Sequence, residues 1–272
     1  MVTKRKGART MAEVSLALRR RLDGGQEEAL TLVEWLVIDQ VKLGRAVLPQ
    51  VGFSADDIDG IVERYEAAAP DGVMSRLRIM AAAIGDALAS APPKKRRRLY
   101  EGIAAWPTAD VVREWGALIV SRDTTMTPAA RWEEMRRYAA DESMNVREIA
   151  WMALRPWVAA DVTVALDLYT PWVGDPHEGI RRCAVEGTRP RGVWTSHLAP
   201  LKADPSPALP LLEAVKGDPS RYVQNAVANW LNDASKDHPA WVQEVTARWA
   251  KESPTKETAY IVKRGLRTLT KK

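Results

Sequence analysis

The sequence is poor in cysteine and histidine, and both scarcities exclude classes of protein. The single cysteine, Cys183, excludes an internal disulfide and a cysteine-based zinc site. The three histidines, which are His177, His197 and His238, show no metal-ligand spacing. We therefore expect neither a metal ion nor any other cofactor in this protein.

Long apolar runs are missing as well. No segment reaches the length of a transmembrane helix, and the first residues lack the apolar core of a signal peptide. A lone cysteine is typical of a reducing compartment. These features favour a cytoplasmic protein that makes no contact with a membrane.

Positive charge is in slight excess, with 40 Lys and Arg against 35 Asp and Glu. A net charge of +5 only weakly favours a polyanionic partner, but the cations are clustered. Residues 1–10 are predicted to form a disordered basic arm, which carries Lys4, Arg5, Lys6 and Arg9. Residues 94–98 are an unbroken run of five cations. Each cluster is either a solvated segment or a phosphate contact, since clustered Lys and Arg release condensed counterions from nucleic acid.

Apolar residues recur at helical spacing through most of the chain. In residues 26–43 they lie three and four positions apart, at Leu30, Val33, Val37 and Val41. Similar periodicity is found in residues 73–91, 108–120, 127–139 and 143–158. No run of alternating β-branched residues indicates a strand. The sequence therefore predicts an all-α protein.

A repeat is visible in the second half of the chain. Three times, an aspartate is followed by apolar residues five and nine positions later: Asp141 with Val146 and Ala150, Asp175 with Ile180 and Ala184, and Asp218 with Val223 and Val227. Proline follows two of these aspartates, the pattern of an N-cap residue before a first-turn proline. The spacings of 34 and 43 residues are those of a two-helix solenoid unit. We expect residues 11–272 to form one curved HEAT-like α-solenoid of antiparallel helix pairs, with chance repetition as the alternative.

A second stripe on the repeat helices carries polar and acidic groups. Positions seven, eleven and fifteen after each aspartate lie beside the apolar stripe and are free to face a groove. They are Glu148 and Met152 in the first repeat, Arg182 and Glu186 in the second, and Asn225, Asn229 and Asp233 in the third. This stripe is either a functional edge or an ordinary exposed polar face.

Two helix ends on this stripe place a carboxylate beside cations. Gly187 stands where a C-cap is expected, after Glu186, and precedes a basic segment flanked by Trp194. Asp233 is followed by Lys236 in the same way. Both arrangements suit a functional site, and both also suit simple salt bridges.

Tryptophan supplies most of the aromatic residues, with eleven Trp against six Tyr and one Phe. Because each buried indole N–H needs a partner, some Trp are expected at a groove. Trp151, Trp194 and Trp230 are the groove candidates. The four assigned to the core are Trp35, Trp106, Trp115 and Trp132.

Two long motifs in residues 140–270 resemble the AlkC branch of the AlkC/AlkD superfamily of DNA alkylation-repair glycosylases. The first runs from Ile180-Arg181-Arg182 into Glu186-Gly187-Thr188-Arg189-Pro190-Arg191 and Trp194. The second runs from Asp218-Pro219-Ser220 through Val227-Ala228-Asn229 and Leu231-Asn232-Asp233 to Ser235-Lys236-Asp237-His238-Pro239. Some members carry a C-terminal immunoglobulin-like domain, and we expect none here.

The resemblance implies a HEAT-like fold and hydrolytic removal of positively charged alkylated bases such as 3-methyladenine. It implies double-stranded, alkylated DNA as the partner, and a monomer is our expectation for the chain. A cationic base leaves without a general acid, so carboxylates are needed for the oxocarbenium-like sugar and the attacking water.

The resemblance also implies roles for particular residues. Asp233 and Glu186 match two of the family's catalytic carboxylates, one orienting water or stabilising the sugar cation and the other adding negative potential. The residues expected to hold phosphates are Arg182, Arg189, Arg191 and Lys236. Further candidates for DNA contact are Trp151, Trp194, Trp230, Asn225 and Asn229.

The chain departs from the family pattern at several positions. Trp151 stands four residues before Arg155, where a third carboxylate is usual, and Glu148 is the candidate to replace it. The other departures are Val185 for a serine, Gln224-Asn225 for two arginines and Trp230 for a histidine. Two alternatives to a glycosylase therefore stay open, a non-catalytic DNA-binding relative and a HEAT scaffold that binds protein.

Overall fold

A computed structural model describes residues 5–192 and 194–270, and none of these residues forms a β-strand. The predicted all-α class is confirmed. The helices are α1 (Leu16–Asp23), α2 (Leu32–Leu36), α3 (Gln40–Val51), α4 (Ala55–Ala67), α5 (Val73–Ser90), α6 (Pro93–Ala104), α7 (Asp110–Arg122), α8 (Pro128–Ala139), α9 (Met144–Ala160), α10 (Val162–Tyr169), α11 (Glu178–Gly187), α12 (Ala199–Ala203), α13 (Leu209–Glu213), α14 (Arg221–Ala234), α15 (Pro239–Glu252), α16 (Lys256–Gly265) and α17 (Arg267–Thr270).

The chain divides into two compact units. The first consists of Met1–Tyr138 with Glu142–Ile149, and the second of Ala139–Asp141 with Ala150–Lys272. Helix α9 therefore begins in the first unit and ends in the second. In the part of the chain that the structure describes, no helix is both long and apolar enough to cross a membrane.

The prediction of helix throughout residues 26–43 is wrong. Helix α2 ends at Leu36, and a new helix, α3, begins after Asp39. The Asp39 carboxylate accepts hydrogen bonds from the backbone N–H groups of Val41 and Lys42 at 3.1 Å each, which starts α3 there. Leu30 is 47% exposed, whereas Glu34 is completely buried. The apolar spacing in this segment therefore spans two short elements and does not mark one buried face.

The buried carboxylate of Glu34 ties the N-terminal segment to α2. It accepts backbone N–H bonds from Ala8 at 2.6 Å and Leu30 at 2.8 Å, and both of its oxygens bind the Arg5 guanidinium. Arg5 also pairs with Glu27. Of the predicted basic arm, Lys4 lies outside the described residues, and Arg5 is engaged inside the protein.

Replacing Glu34 by glutamine should destabilise the first unit in a pH-dependent manner. Burial raises the pKa of Glu34, but the bonds from Arg5, Ala8 and Leu30 outweigh it and hold this pKa below its ordinary value. The ionised group therefore stabilises the fold above the pKa of the unfolded chain, and this contribution is lost as the pH falls through the folded pKa. We expect Glu34→Gln to lower the free energy of unfolding by about 3 kcal/mol near neutral pH.

Urea unfolding at neutral and acidic pH measures this effect. The difference between wild type and Glu34→Gln should shrink as the pH falls below about 4.5. Glu63→Gln is the matched control, since Glu63 is exposed on α4 and its loss should change little at either pH. A difference between wild type and Glu34→Gln that does not vary with pH would contradict the role assigned to the Glu34 charge.

The basic run at residues 94–98 is partly used inside the protein. Arg96 donates to the carbonyls of Leu88 at 3.0 Å and Ala89 at 2.8 Å, which close the end of α5. Lys95 pairs with Asp57 at 3.3 Å. The remaining three cations are exposed on the first two turns of α6: Lys94, Arg97 and Arg98.

The repeat predicts the buried face of its helices correctly. In α11, Ile180 and Ala184 are 5% and 0% exposed, and in α14 both Val223 and Val227 are 0% exposed. Helix α14 packs between α11 and α16. The apolar positions therefore form the core of stacked helices in the second unit, as the spacing predicts.

The predicted N-caps are wrong. His177 caps α11 and Ser220 caps α14, two residues after the repeat aspartates. The aspartates instead accept a bond from the backbone N–H two positions on, at 2.7 Å for Asp175 and 2.8 Å for Asp218. Asp218 also binds the Arg181 guanidinium at 2.6 and 3.0 Å. The repeat aspartate at residue 218 thus joins its own loop to the preceding repeat helix.

Candidate functional site

Two buried carboxylates of the second unit share one arginine. Glu186 lies near the end of α11 and Asp233 near the end of α14, and they are 2% and 4% exposed. Arg189 donates to Glu186 Oε2 through Nη1 at 2.8 Å. It donates to Asp233 Oδ2 through Nε at 2.9 Å and through Nη2 at 2.7 Å. The two motifs that carry the family resemblance therefore meet at a single guanidinium.

The turn after α11 brings Arg189 to this position. Gly187 is the last residue of the helix, and Thr188, not Gly187, is the C-cap. The Thr188 hydroxyl donates to the Ala184 carbonyl at 3.2 Å. A Cβ on Gly187 would lie 2.4 Å from the hydroxyl oxygen of the buried Tyr169. Glycine is therefore required because Tyr169 packs against the backbone.

Arg155 of α9 binds the backbone of the segment that carries Arg189. Arg155 Nη1 donates to the carbonyls of Gly187 at 3.2 Å and Arg189 at 2.7 Å. Its Nη2 donates to the carbonyl of Ser196 at 2.7 Å. Burial lowers the pKa of Arg155 to about 10. A buried cation that binds three backbone carbonyls fixes the shape of the loop.

Further cations surround the carboxylate pair. Lys236 Nζ lies 3.3 Å from Asp233 Oδ1, and Arg182 Nη2 lies 3.3 Å from Glu186 Oε1. Burial alone would lower the pKa of Arg189, but Glu186 and Asp233 outweigh it and raise this pKa. The two negative charges of the pair thus lie beside two largely buried arginines, Arg182 and Arg189, and the more exposed Lys236.

The polar stripe of α14 continues from Asp233 toward the start of the helix. Asn225 Oδ1 accepts a bond from the Tyr260 hydroxyl at 2.7 Å, and Asn229 Oδ1 accepts one from Arg267 Nη2 at 3.0 Å. Both asparagines are half-buried. Their amide oxygens are therefore engaged by α16 and α17, and their role in binding DNA stays a prediction.

The groove position predicted for Trp151 and Trp230 is wrong. They are 2% and 0% exposed, and the Trp230 indole N–H donates to the Thr188 carbonyl at 3.1 Å. Trp230 also packs against Trp241, with ring centroids 6.1 Å apart. Their large apolar surface fills the core, where Trp230 supports the turn that carries Arg189. Trp194 differs, being 59% exposed with a backbone φ of +63°.

The remaining predicted residues lie around this cluster or apart from it. Arg191 pairs with Asp237, with an Nη2–Oδ1 distance of 2.9 Å. Glu148 is half-buried on α9, in the part of that helix that belongs to the first unit. Its catalytic role stays a prediction. Over residues 5–192 and 194–270, no group of three or more His, Cys, Asp or Glu residues is arranged to hold a metal ion.

Sequence reasoning missed several residues that organise the site. Arg155 served only to align the family motif, because nothing in the sequence shows that its side chain is buried. Tyr222 receives a bond from Arg182 at 2.9 Å, with the guanidinium over its ring. Helices α16 and α17 lie beyond the third and last repeat that the sequence shows. The repeat positions therefore did not indicate Tyr260 or Arg267 as site residues.

Comparison with known proteins identifies a family. A family model described as DNA alkylation repair enzyme matches residues 78–260. Among curated proteins, the uncharacterized protein YhaZ of Bacillus subtilis is 40% identical over 143 residues, which are 53% of this chain and 39% of YhaZ. The chain therefore spans well under half the length of that relative.

Two solved structures are similar in fold. The Pseudomonas fluorescens alkylpurine DNA glycosylase AlkC, bound to DNA containing an abasic site analog, matches with a TM-score of 0.67 and 28% identity. The match covers 85% of this chain and 62% of AlkC. AlkD2 from Streptococcus mutans matches with a TM-score of 0.59 and 20% identity, over 78% of this chain and 98% of AlkD2. The predicted HEAT-like repeat fold is confirmed.

Proposed function

The chain belongs to the DNA alkylation repair enzyme family, and we propose that it is a DNA glycosylase acting on cationic alkylated bases such as 3-methyladenine. The observation that carries this proposal is the buried pair of Glu186 and Asp233, joined by Arg189. Such a pair is a fixed source of negative potential beside cations that suit phosphates. Both features are required to act on an alkylated nucleotide in DNA.

The reaction is a hydrolysis of the N-glycosidic bond. The bond to the base breaks, and its electron pair neutralises the positive charge of the alkylated base. Water then forms the new bond to the sugar carbon C1′ and loses a proton to a carboxylate or to solvent. The sugar resembles an oxocarbenium ion in between, so a carboxylate lowers the barrier by stabilising positive charge. Asp233 is assigned this role, and Glu186 adds to the negative potential.

The cations around Glu186 and Asp233 explain how the negative potential of this pair would develop when DNA binds. In the free protein, the three cations Arg182, Arg189 and Lys236 more than offset the two negative charges of Glu186 and Asp233. DNA phosphates would attract Lys236, whose side chain is 41% exposed, and would draw Arg182, whose side chain is 12% exposed, away from Glu186. Two carboxylates then remain with Arg189 alone, giving the cluster a net negative charge beside the lesion. Arg182, Arg191 and Lys236 are thus assigned to phosphates, and Arg189 to the carboxylates.

A second candidate is a DNA-binding relative without catalysis. It is favoured by Trp151, which is buried at the position where the family resemblance implies a third carboxylate. Glu148, one turn earlier on α9, is proposed to supply the missing charge if the protein is an enzyme. The pair of Glu186 and Asp233 favours the glycosylase, because negative charge near the sugar assists the reaction, whereas it only weakens binding to phosphates.

Release of free bases from methylated duplex DNA tests the proposal. Chromatography should detect 3-methyladenine released by the wild-type protein above the spontaneous rate, with abasic sites left in the DNA. Salt-sensitive DNA binding without base release would support the non-catalytic alternative. No DNA binding even at low salt would support a protein scaffold.

A further inference from the structure

Two arginines of the second unit lie against one tyrosine ring. Arg221 at the start of α14 places its guanidinium carbon 3.4 Å from the centroid of the Tyr260 ring. Arg264, one turn after Tyr260 on α16, places its guanidinium carbon 5.5 Å from the same centroid. Two cations on separate helices are therefore brought to one point of the surface.

The tyrosine between them is fixed in place. Its hydroxyl donates to Asn225 Oδ1 on α14 at 2.7 Å, and the side chain is half-buried. Helices α14 and α16 pack directly against each other. The ring is thus held by α16 at one end and by the hydroxyl bond to α14 at the other, so both guanidinium groups have a rigid platform.

Neither cation is neutralised by a carboxylate of the described residues. Across the part of the chain that the structure describes, no carboxylate pairs with Arg221 or Arg264. Other arginines of this unit do have such partners, as Arg181 has Asp218 and Arg248 has Glu213. Stacking on an aromatic face stabilises an exposed cation only weakly, and two like charges on one ring repel each other. An anion placed between them would remove this repulsion.

We propose that Arg221, Tyr260 and Arg264 form a binding site for one phosphodiester group of the DNA backbone. Both arginines are exposed, and the planar fork of a guanidinium suits the oxygens of a phosphate. Tyr260 is the positioning residue, since both guanidinium groups lie against its ring. Asn229 lies further along the same stripe of α14, toward Asp233, and accepts a bond from Arg267 of α17. The site would therefore hold the strand at a fixed distance from the carboxylates, and in this respect it rests on the proposed function.

The salt dependence of binding to a short lesion-free duplex tests the site. Each neutralised phosphate contributes about 0.9 to the slope of log affinity against log salt concentration. Arg221→Ala and Arg264→Ala should each reduce this slope by about 0.9 and weaken binding about tenfold at fixed salt. The double variant should reduce the slope by no more than either single variant, because both arginines bind the same phosphate. Tyr260→Phe keeps the ring but loses the hydroxyl bond that fixes it, so it should weaken binding less than either arginine variant, and Tyr260→Leu should resemble the arginine variants.

Arg248→Ala is the matched control, since it removes the same charge from the same unit where Glu213 and Glu252 already neutralise it. Its slope should equal that of wild type. An unchanged slope in Arg221→Ala and Arg264→Ala would overturn the site, and so would a double variant that loses twice as much. The lesion-free duplex separates this result from catalysis. If the arginine variants show the expected slopes but the protein releases no base, only the proposed activity is contradicted. If the protein releases base but the slopes are unchanged, only the phosphate site is contradicted.

Discussion

Replacing Asp233 by asparagine should lower the rate of base release by about 100- to 1000-fold. Asparagine keeps the shape of the side chain and removes the negative charge to which the proposal assigns stabilisation of the sugar. It also leaves Arg189 with Glu186 as its only carboxylate partner at the pair, so the net charge of the cluster becomes more positive. The rate should be measured under single-turnover conditions with methylated duplex in the presence of excess protein, so that product release does not mask the chemical step.

The loss must be separated from a loss of folding, because Asp233 is buried against Arg189. Breaking one side of a buried ion pair costs about 3–5 kcal/mol, so thermal unfolding of Asp233→Asn should be recorded beside the rate. Asp237→Asn is the control, since Asp237 lies four residues after Asp233, just beyond the end of α14, and pairs with Arg191 in a more exposed position. It should keep most of its activity. A folded Asp233→Asn protein that releases base at the wild-type rate would contradict the role given to Asp233.

Arg155→Met should lose both stability and activity, by about 3 kcal/mol in the free energy of unfolding and by about 100-fold in the rate of base release. Methionine keeps much of the volume but leaves the carbonyls of Gly187, Arg189 and Ser196 without this donor. The loop between α11 and α12 would then relax, and Arg189 would no longer hold the carboxylates at a fixed spacing. Urea unfolding and the single-turnover rate measure the two effects.

Arg113→Met separates positioning from plain stability. Arg113 is a buried arginine of the first unit, 8% exposed, which donates to the Trp106 carbonyl at 2.9 Å and to Glu28 at 2.6 Å. Its loss should cost comparable stability and leave the rate of the folded protein unchanged. Arg155→Lys should give an intermediate rate, because one ammonium group cannot reach all three carbonyls at once. If Arg155→Met and Arg113→Met behave alike in rate, Arg155 acts through stability alone.

Much of the fold could be predicted from local patterns. Apolar residues at positions five and nine of each repeat are buried, as Ile180, Ala184, Val223 and Val227 show. The reason is that the geometry of a helix alone decides which residues share a face. The same geometry placed Glu186 and Asp233 on a neighbouring stripe, before any partner of theirs was known.

Other features could not be predicted, because they depend on contacts between distant segments. The helix expected over residues 26–43 fails at Asp39, where a side-chain cap competes with the apolar spacing. The N-cap expected at Asp218 fails because the loop and Arg181 take the carboxylate. Trp230 was expected at a groove, but the neighbouring turn at Thr188 supplies a buried acceptor for its N–H.

The sequence by itself determined the helical class, the repeat, the buried apolar stripes and the presence of two carboxylates at helix ends. Only the tertiary structure decided which polar groups meet. Arg189 bridges Glu186 and Asp233, Arg155 shapes the loop below them, and Tyr260 gathers two arginines from α14 and α16. Periodicity along one helix records which face is apolar, but an ion pair needs the distance between two helices, and that distance is set by how whole helices pack.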